Sequence, residues 1–404
     1  MLSVKTPDEV MEIIKTGFGL LPGFESVGIA EALGRVSAED IVSAEYVPGF
    51  DRSAVDGYAV CASDTFGCSE SIPAILTVPS GPPGISRAAS AGGGFCVYAA
   101  TGAQLPPGAD SVVMLEYTED YKDGTVGIEI PVAPGNNVIF KDDDLSPGDV
   151  VLRKGCLITE HDTGALAAAG ITELNVRRKP AVGIISTGDE LVEADKKPNP
   201  GEVRDVNTYM LAAAVSSGGG SPKTYGIVPD DEKKLDAALG RALSECDVVL
   251  ISGGSSVGAK DAAARVIGSR GEILFHGIAM KPGKPTILGK AGGKPVFGLP
   301  GHPVAAYFVT RLFVFLLLDC LTGRERPEFP VRAVISEAVP ANHGRAEYAA
   351  VKLRKDGDII RAEPVRFKSG LITSLAATDG YICVPRDCEG IAEGTAADVT
   401  LWRH

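Results

Sequence analysis

The eight cysteines of this 404-residue chain form no CxxC pair. The closest pairs, Cys383 with Cys388 and Cys61 with Cys68, have no histidine beside them. The ligand spacing of a tetrahedral zinc site is therefore missing. Scattered thiols also argue against a disulfide scaffold and for a reducing, cytoplasmic setting. Positive charge is short: 39 Lys and Arg stand against 52 Asp and Glu, a net charge of −13. That balance argues against nucleic acid or an anionic membrane as partner, although a local lysine pair can still dominate one cleft. The N-terminus "MLSVKTPDEVMEII" lacks the layout of a secretory signal. Long apolar runs are missing too. The strongest, "YFVTRLFVFLLLDCL", has fifteen residues and contains Arg311, so it reads as a buried core helix rather than a membrane span.

Glycine (49) and proline (27) are plentiful, which predicts many turns and short strands. Thr6-Pro7-Asp8-Glu9 starts a helix with proline just inside it. "GIAEALGRVSAEDI" also begins in a helical pattern. Residues 45–138 change to short β-rich runs such as "AILTVPS", "GFCVYAA", "DSVVMLEYTED" and "VGIEIPV", separated by Gly, Pro and Asp turns. A strand and an Ala-rich helix follow in "GDVVLRKGCLITEHDTGALAAAG". From residue 178 the apolar runs "AVGIIST", "TYGIVP", "DVVLISGG" and "PVFGLPG" alternate with helical patterns. That alternation implies a mostly parallel sheet covered on both faces, with ligands at the carboxyl ends of its strands. After residue 326 short alternating strands return and suggest a small terminal β-domain. No internal repeat or low-complexity tract is visible.

Three polar clusters fall where strands of the parallel sheet should end. "STGDEL" offers Ser186, Thr187, Gly188, Asp189 and Glu190. "SGGSSVGAKD" offers backbone N–H groups from Ser252, Gly253, Gly254, Ser255, Ser256 and Gly258, and ends in Asp261. "GLPGHPVAA" opens a helix with Pro300, Gly301 and Pro303. A glycine-rich loop ahead of a helix is an anion cradle, but "SGGSSVGAKD" has neither the Lys-Ser/Thr ending of a nucleoside-triphosphate loop nor dinucleotide glycine spacing. Between the last two clusters lies "MKPGKPT", with Lys281 and Lys284 held by Pro and Gly. Free N–H groups and two lysines suit phosphate or another oxyanion. Nearby carboxylates suit a hard cation such as Mg²⁺ that bridges phosphate oxygens. Taken singly, each feature has a plainer reading: Asp261 as a first-turn acid, Asp189 and Glu190 as a solvated turn, "KPGKP" as an exposed turn and His302 as a structural residue. Joint placement at strand ends is what lifts the set.

In this order, "FDRSAVDGYAV", "TGAQLPPGAD", "STGDEL", "SGGSSVGAKD", "MKPGKPT" and "GLPGHPVAA" resemble the MoeA family of molybdopterin molybdenumtransferases, which includes the terminal domain of gephyrin. The likeness runs from about residue 8 to residue 402. It implies a multidomain α/β fold: a helical linking domain from residues 1–44 and 139–177, a β-rich insertion at 45–138, a molybdopterin-binding-type α/β domain at 178–325 and a C-terminal β-barrel at 326–404. It implies a reaction in which adenylylated molybdopterin and molybdate (or tungstate) react with hydrolysis of the phosphoanhydride and release of AMP, assisted by a divalent cation such as Mg²⁺. Carried over motif by motif, Asp56 and Thr101 are insertion-side site residues. Glu190, Asp230 and Asp261 are acidic residues of the α/β side and the implied metal ligands. Lys281 and Lys284 form the oxyanion side, and Pro300 and Pro303 shape the adjoining loop. Asp144 matches a further acidic position. The chain departs from the family pattern at His302, commonly Asn, at Ser255, commonly Val, and at Gly277, where some members carry a basic residue.

The resemblance also implies a homodimer with shared sites, and the upstream molybdopterin adenylyltransferase as a partner. Two other functions stay open: a molybdopterin-binding scaffold without turnover, and an adenylyltransferase of the single α/β-domain type. The β-insertion and terminal β-domain weigh against the second.

Overall fold

The computed structural model describes residues 4–79, 90–253, 257–366 and 369–402, with residues 257–261 described as backbone only. Its centre is a six-stranded sheet in the spatial order Ser221–Val228, Ala181–Thr187, Val248–Gly253, Lys294–Pro300, Ile287–Ala291, Gly271–His276. The first four strands are parallel, and the last two close the sheet antiparallel. The sheet is thus mixed, with the expected parallel part filling four strands from one edge. Strand side chains alternate between two faces. Val182, Ile184, Val248, Leu250, Phe297 and Leu299 pack with Leu211 and Val215 of the helix Asn207–Ser217. Ile185, Val249, Ile251 and Val296 pack on the other face with Leu235 and Leu239 of the helix Glu232–Glu245 and with Ile267. Apolar residues on both faces explain why these strands read as unbroken hydrophobic runs.

The apolar segment after residue 302 is one continuous helical stretch, Pro303–Val309, a π turn at Thr310–Val314, and Phe315–Thr322. It is long and apolar enough to cross a membrane, but Phe308, Phe313, Leu317 and Leu318 are buried in the core of the α/β layer. The N-terminal helix Pro7–Gly17 joins the same core. Its capping box closes when Thr6 Oγ1 accepts from Glu9 N–H and Glu9 Oε2 accepts from Thr6 N–H. Val10, Ile14 and Phe18 recur every four residues, so they form one stripe, and that stripe packs with Leu317, Leu318 and Leu321. This helix therefore belongs by packing to the α/β layer, although it comes from the segment assigned above to the linking domain.

The remaining linking segments are tied by antiparallel pairs: Phe24–Gly28 with Glu173–Arg177, and Ile41–Val42 with Val150–Leu152. The helix Glu160–Ala168 starts from a second capping box, Thr159 with Asp162. "GIAEALG" forms only a 3₁₀ turn, Ile29–Glu31, because Gly34 in the left-handed region turns the chain at once. The insertion holds two three-stranded sheets. "DSVVMLEYTED" was expected as one strand. A 3₁₀ turn at Leu115–Tyr117 splits it, so Ser111–Met114 and Thr118–Asp120 join different sheets.

The C-terminal strands Val331–Ile335, Ala346–Asp356, Ile359–Pro364, Gly380–Val384 and Ala396–Leu401 close into a five-stranded barrel through the pairing of Ala346–Asp356 with both Ile359–Pro364 and Gly380–Val384. Sequence patterning missed the strand Ile359–Pro364, because Ile359 and Ile360 are both exposed and blur the two-residue period. The Asp356-Gly357 pair, with Gly357 at φ +60°, was the available hairpin signal. A short strand from the α/β segment, Met280–Lys281, adds parallel to the start of Ala346–Asp356. This pairing stitches the barrel to the α/β layer.

At the opposite end of the sheet, Arg178 forks onto Asp247 at 2.7 and 2.8 Å, and Asp247 Oδ2 also accepts from Ala181 N–H at 2.8 Å. The carboxylate thus ties the linker to the starts of two central strands. Burial pushes the Asp247 carboxyl up, but the bonds from Arg178 and Ala181 outweigh it and leave its pKa below the ordinary value. A depressed carboxylate contributes stability above its unfolded pKa of about 3.9, and that contribution is lost as pH falls through the lower folded value. Asp247→Asn should destabilise the protein by about 1.5–3 kcal/mol at pH 7. Thermal melts of both proteins from pH 7 down to about pH 3 should show the difference shrinking only below about pH 4.

Candidate functional site

Strand register brings the polar clusters together. Thr187 lies opposite Gly253, and Gly253 opposite Pro300; one step earlier, Ser186, Ser252 and Leu299 align. The carboxyl ends of three neighbouring parallel strands therefore carry the three motifs side by side. From Thr187 the chain returns on one side as Ser221–Val228, and its other neighbour is Val248–Gly253. This reversal makes the crevice in which ligands of such sheets sit. The approach is close: a Cβ on Gly253 would lie 2.3 Å from the Thr187 carbonyl oxygen, so only glycine fits.

Hydrogen bonds then lock the loops. The Thr187 hydroxyl donates to Asp230 Oδ1 at 2.8 Å, and Asp230 N–H donates to Asp189 Oδ1 at 3.1 Å. The Glu190 carboxylate folds over Gly188, since a Cβ on that glycine would meet Glu190 Oε2 at 2.9 Å. The structure thus gathers Thr187, Gly188, Asp189, Glu190 and Asp230. Ser186 bonds Asp205 and Thr208 at 3.1 and 2.8 Å. Asn207 Nδ2 donates to Ser252 Oγ at 2.7 Å and to the Gly301 carbonyl at 2.9 Å. Asp205, Asn207 and Thr208 were missed from sequence. Their signal was a polar triplet opening an otherwise Ala-rich helix. Gly254, Ser255 and Ser256 lie outside the described residues. Gly258 and Asp261 fall on the helix Val257–Arg270, and their side-chain surroundings lie outside them too.

Lys281 and Lys284 open onto a different but adjoining space. It is a cleft of about 750 Å³ between the α/β layer and the barrel. Pro300 and Gly301 line it from one side, and Val339, Pro340, Tyr348 and Val365 from the other. Pro303, the first residue of its helix, follows directly. His302 lines the cleft and its Nδ1 lies 2.7 Å from Ser369 Oγ, which gives it a packing partner on the barrel side. Two further arginines face the cleft. Arg366 reaches Glu337 at 3.4 Å. Arg345 has a buried Nε without a hydrogen-bond partner among the described residues. Glu347 pairs with Lys281 through Oε1, while its Oε2 is buried without a partner among the described residues. Arg345 and Glu347 were not singled out from sequence. The strand they open, Ala346–Asp356, also carries Lys352, Arg354, Lys355 and Asp356, so charge alone does not set the two apart. Gly301 belongs to both regions, because the Asn207 amide that holds Ser252 also holds its carbonyl.

Asp56 and Thr101 meet each other but not these loops. Asp56 Oδ1 accepts from Thr101 N–H at 2.7 Å and from Thr101 Oγ1 at 3.0 Å. The backbone bond first, then the hydroxyl, holds this exposed carboxyl below its usual range. Gly57 beside it is obligatory, since a Cβ there would stand 2.0 Å from the Val113 carbonyl oxygen. Among the described residues no strand of the insertion pairs with a strand of the α/β layer. All eight cysteines are free, and the described residues contain no His, Cys, Asp or Glu cluster with the layout of a metal site.

Comparison with known proteins follows this division. Residues 5–170 match the family model of the MoeA N-terminal region, domains I and II. Residues 183–319 match a probable molybdopterin-binding domain, and residues 332–402 the MoeA C-terminal region, domain IV. A putative molybdopterin biosynthesis protein of Methanocaldococcus jannaschii is 37% identical over 94% of this chain and 92% of its own length. The molybdopterin molybdenumtransferase of Bacillus subtilis is 32% identical over 100% of this chain and 96% of its own. The crystal structure of the molybdopterin biosynthesis MoeA protein from Pyrococcus horikoshii superposes with a TM-score of 0.86 at 34% identity, covering 99% of this chain and 100% of that one. With its order of domains, its strand-end motifs and these full-length relatives, the chain belongs to the MoeA family.

Proposed function

We propose that this protein is a molybdopterin molybdenumtransferase that takes adenylylated molybdopterin and molybdate, hydrolyses the phosphoanhydride, releases AMP and leaves the metal on the dithiolene. The observation that carries the reading is the adjacency of two chemically different sites across Gly301. The strand-end crevice offers carboxylates and backbone donors, and the cleft beside it offers Lys281, Lys284 and Arg345. A phosphoanhydride and a compact oxyanion can therefore be held next to each other, which the transfer requires. Tungstate has the same shape and charge as molybdate, and lysine is a point charge, so both anions fall within the proposal. A scaffold without turnover would not need the crevice carboxylates and the cationic cleft together.

Thr187 holds Asp230 by its hydroxyl, and Asp189 holds the Asp230 backbone. These bonds fix the 230 loop against the strand end, where it can orient the phosphoanhydride. Glu190, Asp230 and Asp261 are the proposed holders of a divalent cation. Two of the three donors support this: Glu190 and Asp230 belong to loops already in contact through Asp189, and hard carboxylate oxygens are what Mg²⁺ takes alongside phosphates and water. Such an ion supplies charge neutralisation on the phosphate oxygens. The reading includes a cytoplasmic homodimer that receives its pterin from the adenylyltransferase acting before it.

Replacing Asp230 by Asn should lower AMP release by about 10²–10³-fold while the fold persists, the scale of losing one placed electrostatic group. Turnover of purified protein on adenylylated molybdopterin plus molybdate measures it, and near-normal AMP release would leave Asp230 a loop residue only. Lys281→Ala and Lys284→Ala should each raise the half-saturating molybdate concentration more than they weaken pterin binding. A single-turnover molybdate titration reads this directly.

The separation of Asp56 and Thr101 from the crevice motivates a shared-site dimer, in which the insertion of one subunit faces the α/β layer of the other. Asp56→Asn and Asp261→Asn should each be nearly inactive alone. After subunit exchange, half of the dimers are mixed and each carries one unaltered site, so activity should return to roughly one quarter of wild type under closed two-fold symmetry. A mixture that stays inactive after verified exchange would place the site within one subunit.

A further inference from the structure

We propose that Glu347 is an internal counter-anion of the cleft, one that holds Lys281 until an incoming oxyanion displaces it. The inference rests on reading the cleft as the oxyanion site. Register sets up the pair: Lys281 lies opposite Glu347 in the parallel ladder that joins the barrel to the α/β layer. Residues directly opposite in a ladder present neighbouring side chains on one face. The Glu347 side chain is 12% exposed, whereas Lys281 is 52% exposed. The carboxylate is thus the fixed partner and the lysine the mobile one.

Two orphaned atoms show that the pair does not complete the site. Glu347 Oε2 and Arg345 Nε are both buried without partners among the described residues, and both residues line the same cleft. Buried polar atoms left unpaired are costly, and a ligand that satisfied them would recover that cost. Lys284, three residues beyond the ladder, has no ion pair among the described residues. Arg345 and Lys284 are therefore free to receive an anion, while Lys281 is already engaged. An oxyanion without a hydrogen-bond donor meets repulsion from Glu347 Oε2 and competes with Oε1 for Lys281. Glu347 then limits affinity for molybdate, and does so through Lys281 rather than through contact with the pterin.

The test is binding of molybdate, and of sulfate as an unreactive tetrahedral dianion, to the full-length protein by calorimetry at fixed ionic strength. Glu347→Gln keeps size and removes charge; it should tighten both anions by about tenfold, the scale of removing one partly buried like charge. Glu347→Ala should tighten them as well. Unchanged or weaker binding in the Gln variant would overturn the proposal, because a carboxylate that merely positions Lys281 can only lose affinity when removed. Failure of both variants to fold would overturn it too, by making Glu347 structural. Lys284→Ala separates the two readings. If it abolishes wild-type binding and Glu347→Gln still brings no gain, only the counter-anion inference falls. Wild-type binding that ignores Lys284→Ala, or no binding at all, removes the oxyanion site and the inference with it.

Discussion

The in-register ending of three parallel strands, Thr187 against Gly253 against Pro300, is the constraint on which the rest of the site depends. Each strand is buried on both faces, so a slip of one residue would move every apolar side chain to the wrong layer. The core therefore fixes where the strands end, and the strand ends fix where the polar loops emerge. Gly253 fits this register because no Cβ is tolerated against the Thr187 carbonyl. Stability and site geometry are consequently the same property here. A change that relaxed the packing of Ile184, Leu250 or Phe297 would also let the motif loops drift apart.

A second ladder does for the cleft what the first does for the crevice. Met280–Lys281 leaves the α/β layer and pairs with the start of the long barrel strand, whose Glu347 also lies opposite Val384 of the barrel. The cleft between the two domains thus has a hydrogen-bonded wall. Apolar packing backs it: Phe308 of the long helix sits 5.7 Å from Tyr381 and 5.3 Å from Trp402 of the barrel, in edge-on contacts. Burial of Tyr381 raises its hydroxyl to about 12, so it stays neutral at any working pH. Charged residues on the cleft side of this junction can therefore be arranged for ligand rather than for holding the domains together.

Long-range periodicity explains what was legible from sequence. The double-faced strands 181–187, 248–253 and 294–300 read as unbroken apolar runs, and their trailing glycine-rich clusters marked the site. The same logic missed Ile359–Pro364, where two exposed isoleucines hide the alternation, and overextended residues 110–120 across a 3₁₀ turn. Arg345 and Glu347 were invisible for a different cause. Their importance comes from orphaned atoms and cross-ladder neighbours, which only the assembled fold creates. Lys281 was legible as a cation, but not as one already paired.

Charge distribution sets the chemical character of this molecule more than total charge does. A chain of net charge −13 repels anions at long range, yet one cleft of it gathers four cationic side chains. Concentrating Lys281, Lys284, Arg345 and Arg366 in one partly enclosed cleft reverses the local field, since low-dielectric walls such as Val339, Pro340 and Val365 screen poorly. The carboxylates of the crevice, Asp189, Glu190 and Asp230, lie on the far side of Gly301. The backbone at that glycine thus separates a region rich in cationic side chains from a region rich in carboxylates. An anion in the cleft cannot slide into the crevice without meeting those carboxylates, which repel it.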